Sequence, residues 1–362
     1  MPIKEESFRI GCGRYIQGAG CIEQTGDEVL RLGTSPLIIG GKTALEITKS
    51  NIEKSVRKKC NKYEFVVHTG TCNEERAREL AKLAEEKGYD VIVGVGGGVI
   101  CDFAKFCGYF AKLPVINIPT SSATCAAYTP LTIRYTPDGK TIGSLHYGYE
   151  VNGVIADSAV IGAQPVRLFL AGVFDALAKF LEIKQRFNEE TTKYPIGLDY
   201  AYVMSKYSYK LLNDKTQKCL SDMEKGVISD DVENVIFTSI AATGNISGIA
   251  RGSNQSALAH RFYYATRTLF PEASKPYLHG EIVGIGLVLQ NHFNGEEENN
   301  KYLLELMKNY NMPCCLKDIK VEKTEEVFNK YYEIISSDSS AVANEEEKIK
   351  FKESLKYMWE VL

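Results

Sequence analysis

Between residues 35 and 160, short apolar runs alternate with longer segments of helical period. "PLIIG" (36–40), "DVIVGVGGG" (90–98) and "PVINIPT" (114–120) predict strands, the second of them buried and running straight into glycines. Between them, "NEERARELAKLAEEKG" (73–88) sets Ala77, Leu80, Ala81 and Ala84 at helical spacing. Asn73 is placed to cap that helix and Gly88 to stop it. "VICDFAKFCGYFAK" (99–112) predicts a second helix. Strands that alternate with helices imply a parallel sheet with crossover helices.

After about residue 160 the strand pattern ends. Helical segments follow at 175–187, about 195–213, 229–248, 255–268, 280–292 and 299–311, with a last one at the C-terminus. Gln164-Pro165 is the expected hinge. "SSDSSAVANEEEKIK" (336–350) is polar and predicts a loop leading into a final surface helix. The expectation is an α/β N-terminal domain with a parallel sheet over 1–163 and an all-α domain over 164–362.

Bulk composition narrows the class. The 362 residues allow two domains with sizeable cores. A net charge of −3 gives no electrostatic reason to expect nucleic acid or an anionic membrane as partner. No apolar run reaches the roughly 20 residues of a bilayer span. "MPIKEESFRIGCGRY" lacks the apolar core of a signal peptide, so a cytoplasmic location is expected. The ten cysteines contain no C-x-x-C, and several fall in apolar segments, which predicts reduced thiols packed as small hydrophobes.

Two stretches carry candidate chemistry. In "GVGGGVICDFAK" (94–105), Gly96, Gly97 and Gly98 follow a strand, and Val99 and Ile100 continue into a helix. Three residues without Cβ let backbone N–H groups and the helix dipole approach a phosphate. A tight structural turn would use the same glycines, and the motif is neither G-x-G-x-x-G nor a nucleoside-triphosphate loop. Asp102 and Lys105 read as a local ion pair fixing the first turn.

The other stretch is "ALAHRFYYATRTLFPEASKPYLHGEIVG" (257–284), which holds two of the five histidines, His260 and His279. Each sits among apolar or small residues, with "PEASKP" as a turn between them. Asp175, in "AGVFDALAKFLE" (171–182), reads at the start of a helix, where a carboxylate is commonly an N-cap. Two imidazoles and one carboxylate also make a metal set with an open position, as in catalytic zinc and non-haem iron(II) sites. Each residue alone has a structural reading. Together the three point to ligation.

These segments, with "RYIQGAG" (14–20), "PTSSATCAAYTPLTIRYTPDG" (119–139) and "VIADSAVI" (154–161), resemble the iron-containing alcohol dehydrogenase superfamily in its glycerol dehydrogenase branch. The resemblance runs nearly end to end. It implies a dinucleotide-binding N-terminal domain, a helical metal-binding C-terminal domain with the metal in the cleft between them, and hydride transfer between NAD or NADP and a small polyol or alcohol. It also implies one divalent metal, zinc before iron, and a homo-oligomer. Gly96, Gly97 and Gly98 match the pyrophosphate loop. Thr120, Ser121, Ser122 and Ala123 match the segment under the cofactor, and Thr129, Leu131 and Tyr135 match positions on the nicotinamide side. Asp175, His260 and His279 match the metal ligands and thereby the catalytic set. Relatives with four ligands carry a histidine where this chain has Lys179, so the three-ligand form is implied.

Three departures shape the expected chemistry. Glycerol dehydrogenases place a polyol-contacting aspartate where this chain has Cys125. A thiol offers no charged acceptor, which brings in an alternative, an NADPH-dependent 2-oxo acid reductase of the hydroxycarboxylate dehydrogenase kind. After the first strand, Gly41 and Lys42 replace the acidic residue that holds the adenine ribose, which suits a 2′-phosphate and hence NADP. Tyr264 stands where many relatives have a second histidine. A lyase of the dehydroquinate synthase type shares the loop, metal and cofactor, but "PTSSATCAAYTP" does not match its sequence. A non-enzymatic nucleotide-binding protein remains as a reading without chemistry.

Overall fold

The computed structural model describes residues 10–136, 141–187, 196–250 and 255–362. Two compact units account for them. One contains Arg9–Gln164 and Lys215–Gly248; the other contains Pro165–Asp214 and Ile249–Leu362.

Among the described residues, the first unit is built on eight strands. They are β1 (Tyr15–Gln17), β2 (Pro36–Gly40), β3 (Glu64–Val67), β4 (Val91–Gly96), β5 (Val115–Pro119), β6 (Leu131–Tyr135), β7 (Thr141–His146) and β8 (Gly153–Ala156). Six of them form one sheet in the order β1-β8-β5-β4-β2-β3, every pair parallel. β6 and β7 form an antiparallel hairpin. All residues of β2, β4 and β5 are buried, as expected of strands covered on both faces.

The two faces are covered by different helices. Helix Lys42–Arg57, which follows β2, packs through Ala44, Leu45, Ile52 and Val56 on one face with Ile38, Val93 and Val95. Helices Glu74–Lys87 and Gly98–Ala111 pack through Ala77, Leu80, Phe103 and Phe106 on the other face with Leu37, Ile39 and Ile92. The helices that leave β2 and β4 therefore turn to opposite sides. The carboxyl ends of these neighbouring strands form a topological switch point, the place where open α/β sheets bind ligands.

The expected helix over 73–88 runs Glu74–Lys87. The Asn73 side chain accepts from Arg76 N at 3.0 Å, and Gly88 ends the helix in the left-handed region at φ 63°. The segment Lys215–Gly248, expected among the helices after residue 164, groups instead with the sheet-bearing unit. Helix Asp230–Phe237 explains part of this. Glu233 accepts from Gln17 Nε2 at 2.6 Å and from Ser158 Oγ at 2.5 Å, so its charge is met by β1 and by the segment after β8. Among the described residues, no helix is long and apolar enough to cross a membrane. None of the ten cysteines is in a disulfide, and burial raises the thiol pKa of most of them.

Asp102 and Lys105 do form an ion pair, Nζ to Oδ1 at 2.8 Å, but both are buried. The ammonium also donates to the carbonyls of Ala126 (2.7 Å), Thr129 (2.8 Å) and Leu131. Asp102 Oδ2 accepts from Ile133 N at 3.0 Å. The pair thus ties helix Gly98–Ala111 to the root of the hairpin rather than fixing only its own turn. Burial raises the Asp102 pKa against the pull of Lys105. Lys105→Met leaves that carboxylate buried and unpaired, with three carbonyls lacking their donor. The expected cost is about 3–5 kcal/mol, read from urea denaturation. A loss under about 1 kcal/mol would mean that the clamp contributes little.

Candidate metal centre and glycine turn

Helix Val166–Arg186 is the spine of the helical unit. Every residue from Phe169 to Ile183 is buried, and the charged ones among them are Asp175, Lys179 and Glu182. These follow one another at i, i+4 and i+7, so they share one face of the helix. Asp175 lies mid-helix and is not an N-cap. The helix begins nine residues earlier, after Pro165, because the apolar run carries helical structure through the preceding glycine.

Helix His279–Asn294 lies against this spine at very short range. A Cβ on Gly280 would fall 1.8 Å from the carbonyl oxygen of Ala171, and one on Gly286 would fall 2.6 Å from that of Ala259. Only glycine permits these two approaches, which bring three helices to one point. The start of helix His279–Asn294 is fixed from outside. Arg167 grips Glu281 with two bonds of 2.6 Å and reaches Pro276 O at 2.9 Å. Glu281 in turn accepts from Leu278 N at 2.6 Å. Arg267 holds the carbonyls of Ser274 and Tyr277, each at 2.6 Å. The expected turn at "PEASKP" includes a short helix, Pro271–Ser274.

Around this point Asp175, His260 and His279 converge. Each offers one ligand atom, and the three atoms lie within 4.8 Å of one another. Asp175 Oδ1 is 3.2 Å from His260 Nε2 and 3.6 Å from His279 Nε2. His260 is the third residue of helix Leu258–Leu269, and His279 is the first residue of its own helix. The Tyr263 ring meets His279 edge-on at 4.2 Å. The side chains of Asp175 and His260 are 7% and 5% exposed, but that of His279 is 26% exposed, so the cluster opens on the His279 side.

Glu182 completes the arrangement. It is fully buried. Oε2 meets His260 Nδ1, and Oε1 accepts from Ala257 N at 2.7 Å and His260 N at 2.8 Å. A carboxylate on Nδ1 favours the tautomer protonated there, which would free Nε2, 3.2 Å from Asp175 Oδ1, to ligate a metal beside that carboxylate. The sequence reading did not single out Glu182. Its signal was there, since a charged residue seven positions after Asp175 in an apolar helix must face the same way.

The electrostatics follow from these contacts. Burial works against ionising Asp175, but Lys179 and then the two histidines reverse it and hold the carboxyl well below its usual range. Glu182 is lowered in the same way, with His260 outweighing burial. Burial would lower His260, yet Glu182 raises it. His279 is lowered, since burial outweighs Asp175. One carboxylate, Asp175, beside two imidazoles, with Glu182 behind the His260 ring, forms a donor set that fits a divalent ion with borderline-soft preferences.

In the sheet-bearing unit, the other predicted residues gather at the switch point. Gly97 caps helix Gly98–Ala111 in an extended conformation, so the first N–H groups of the helix lack intrahelical partners. Gly41 N donates to Val95 O at 3.2 Å, and Thr120 N donates to Gly96 O at 3.1 Å, which joins the ends of β2, β4 and β5. A Cβ on Gly41 would sit 3.5 Å from Ile100, and one on Gly97 3.5 Å from Ser121 Oγ; on Gly98 it would crowd Thr124 Oγ1 at 2.8 Å. Lys42 is exposed at the start of its helix, and Val99 is exposed beside the turn. Ser122 is buried and exchanges hydrogen bonds with Gln164, and Ala123 follows it in the loop.

Thr129, Leu131 and Tyr135 lie on the hairpin and its root. Thr129 is buried with its carbonyl on Lys105, and the Tyr135 ring packs with the core under helices Glu74–Lys87 and Gly98–Ala111. Cys125 is half-buried, and its carbonyl accepts from Tyr128 N at 2.9 Å and Thr129 N at 3.2 Å.

Comparison with known proteins agrees with this architecture. Residues 12–160 match the family model described as iron-containing alcohol dehydrogenase. A glycerol dehydrogenase of Escherichia coli is 31% identical over 280 residues, covering 77% of this chain and 75% of that protein. Hydroxycarboxylate dehydrogenase A of Escherichia coli K12 is 28% identical over 262 residues, covering 71% and 70%. Among solved structures, glycerol dehydrogenase from Schizosaccharomyces pombe superposes with a TM-score of 0.83 at 21% identity, covering 99% of this chain and 91% of that one. The chain belongs to the iron-containing alcohol dehydrogenase family, in the branch that holds the glycerol dehydrogenases, and is an oxidoreductase.

Proposed function

We propose that the protein is a metal-dependent, NAD(P)-linked dehydrogenase that transfers a hydride between the nicotinamide and a small polyol or other alcohol. The observation that carries this reading is the convergence of Asp175, His260 and His279 within 4.8 Å. The family implies NAD(P) and a divalent metal. Zinc is the metal we favour, with iron next, because the donor set is two nitrogens and one oxygen. A divalent ion held there supplies Lewis acidity, which polarises a carbonyl or lowers the pKa of an alcohol.

The residues of this chain divide the remaining work. Glu182 orients the His260 ring and its lone pair. Arg167, Glu281 and the glycine contacts of helix His279–Asn294 set where His279 points. Gly96, Gly97 and Gly98, with the start of the following helix at Val99 and Ile100, offer N–H groups to a pyrophosphate. Thr120, Ser121, Ser122 and Ala123 support the dinucleotide beside that turn. Thr129, Leu131 and Tyr135 are assigned to the nicotinamide side through the resemblance. Gly41 leaves room at the adenine ribose, and the Lys42 ammonium favours a 2′-phosphate, hence NADP.

A second reading is supported by Cys125. With a thiol in place of an aspartate that contacts polyols, a carboxylate-bearing substrate meets no repelling anion at that position. The similarity to a hydroxycarboxylate dehydrogenase points the same way. Reduction of 2-oxo acids by NADPH is therefore the alternative. A screen of glycerol, 1,2-diols, 2-hydroxy acids and 2-oxo acids with NAD(H) and NADP(H), followed by nicotinamide absorbance, separates the two. Bulk turnover of added cofactor also excludes a dehydroquinate synthase-like lyase, which returns its cofactor unchanged in each cycle.

Three variants test the assignments. His279→Ala is expected to lose bound metal, measured by mass spectrometry, together with turnover; a variant that keeps both would remove His279 from the ligand set. Glu182→Gln keeps an acceptor for His260 but removes its charge. It is expected to weaken metal affinity by about 10- to 100-fold in a chelator competition, and an unaltered affinity would make Glu182 a packing residue only. Lys42→Asp is expected to move the NADP-to-NAD ratio of kcat/KM toward NAD by about tenfold or more. An unmoved ratio would show that Lys42 has no part in cofactor choice.

A further inference from the structure

Helix Ile196–Glu224 belongs to the helical unit as far as Asp214, and over that length it is apolar on two sides. Its inner face is buried through Leu198, Ala201, Ser205 and Leu212. Tyr202, also buried, stacks on Phe187 with ring centroids 4.0 Å apart and meets Phe180 at 5.7 Å. This face therefore packs on the end of helix Val166–Arg186. A second apolar row looks outward. Ile196, Tyr200, Val203 and Tyr207 are 65%, 56%, 64% and 70% exposed. Their spacing of i, i+4, i+7 and i+11 puts them on one stripe. Among the described residues, no other helix exposes more than two large apolar side chains. We propose that this stripe is where two copies of the chain pair, helix against helix and antiparallel, about a two-fold axis near Val203.

The charges beside the stripe select a second copy and its direction. Asp199, Lys206 and Lys210 all fall on one flank of the row by helical spacing. When two helices pair antiparallel about a two-fold axis, each flank meets the same flank of the other copy. An axis near Val203 then opposes Tyr200 to Tyr207 of the other copy and Val203 to its Met204. It opposes Ile196 to Leu211, and it sets Asp199 between the other copy's Lys206 and Lys210. Met204 and Leu211 are half-buried and extend the apolar row on the far flank. Lys210 also pairs with its own Asp214, an exposed contact one turn on that is worth little by itself. A parallel pair in register would put Asp199 against Asp199 and each lysine against itself, which costs energy. The face is thus complementary to itself in one orientation, as an isologous contact must be. An anionic lipid surface would gain nothing from Asp199 on that flank.

Area sets the strength of the contact. The two tyrosines, at roughly 150–250 Å² each when fully open, together with Ile196 and Val203 offer roughly 500 Å² per copy. Pairing two copies removes roughly 1,000 Å² from water, near the lower bound of a specific interface. A contact of that size associates in the micromolar range unless other surfaces add to it.

The test uses the full-length, metal-loaded protein in sedimentation velocity from about 0.1 to 100 µM, a span that brackets such an affinity. Wild type should form an assembly with an even number of chains. Val203→Glu should leave assemblies of half that size. It should raise the dissociation constant of this step by about 100-fold, because the two-fold axis counts the change twice. Its far-UV circular dichroism should match wild type, since Val203 is exposed. Asp199→Lys should weaken association, and so should Lys206→Glu combined with Lys210→Glu. An equal mixture of those two proteins should associate again, because every flank then meets its opposite charge.

Wild type that stays a single chain at every concentration overturns the proposal. So does an assembly whose size and strength Val203→Glu leaves unaltered. If Val203→Glu unfolds the protein, the charge variants decide, and a mixture that associates no better than its components overturns the proposal. These readouts are mass and association strength, not turnover. The pairing can therefore fail while the dehydrogenase reading stands, and the reverse.

Discussion

The contact between the start of helix His279–Asn294 and the middle of helix Val166–Arg186 governs the helical unit. Gly280 stands where any Cβ would collide with the Ala171 carbonyl, and the collision would be with backbone, which has nowhere to go. That contact lies one residue from His279 and one turn from Asp175. The separation of Asp175 and His279, the two candidate ligands, is therefore set by the nearest approach two helices can make more than by flexible side chains. A binding constellation held by rigid elements keeps its geometry to within a fraction of an ångström, which ligation requires. The Arg167–Glu281 fork and the Arg267 contacts add a second constraint, fixing the direction from which the helix arrives. Burial of Phe169, Leu170, Val173, Phe174 and Leu177, each contributing about 1.5–3 kcal/mol, supplies the energy that holds charged groups on the same helix in a dry interior.

The candidate site of the sheet-bearing unit is built by the opposite means. Its candidate phosphate site consists of backbone, at the place where helices from β2 and β4 depart to opposite faces. Side chains are excluded there for steric reasons, since Gly96 and Gly98 have neighbours within 2.8 Å of where a Cβ would be. Backbone N–H groups carry no identity, so such a site is legible only through the glycines that expose it. A metal site is made of side chains whose identity is the chemistry, and it is legible as residue types without a place. The two candidate sites thus leave different kinds of trace in the chain.

This difference accounts for what could be read in advance. The strands at 36–40, 90–98 and 114–120 and the helix between Asn73 and Gly88 follow from local pattern, and they match the structure closely. The short strand β1 and the four residues of β8 carry too little pattern to stand out, and their pairing is purely tertiary. Asp175 was expected at a helix start because Gly172 precedes it, but tertiary burial from Phe169 onward overrides the weak helix propensity of one glycine. The grouping of Lys215–Gly248 with the sheet was not legible at all, because helical period says which face is buried and not what buries it. Glu182 was legible in principle. A periodicity reading sorts residues into apolar and polar, and it passes over the polar positions that fall on the apolar face.

That oversight has a physical lesson about buried charge. Asp175, Lys179 and Glu182 lie on the inward face of one helix, where each charge alone would cost several kcal/mol. They persist because each has a counterpart: His260 lies between the two carboxylates, Lys179 stands beside Asp175, and backbone N–H groups of Ala257 and His260 close around Glu182. Such a network is stable only as a set. Replacing all three by apolar residues would give an ordinary and more stable core helix, so stability alone does not call for them. What calls for them is a further charged species in the same space. Asp175, His260 and His279, with Glu182 behind the His260 ring, form a donor set that a dication would complete.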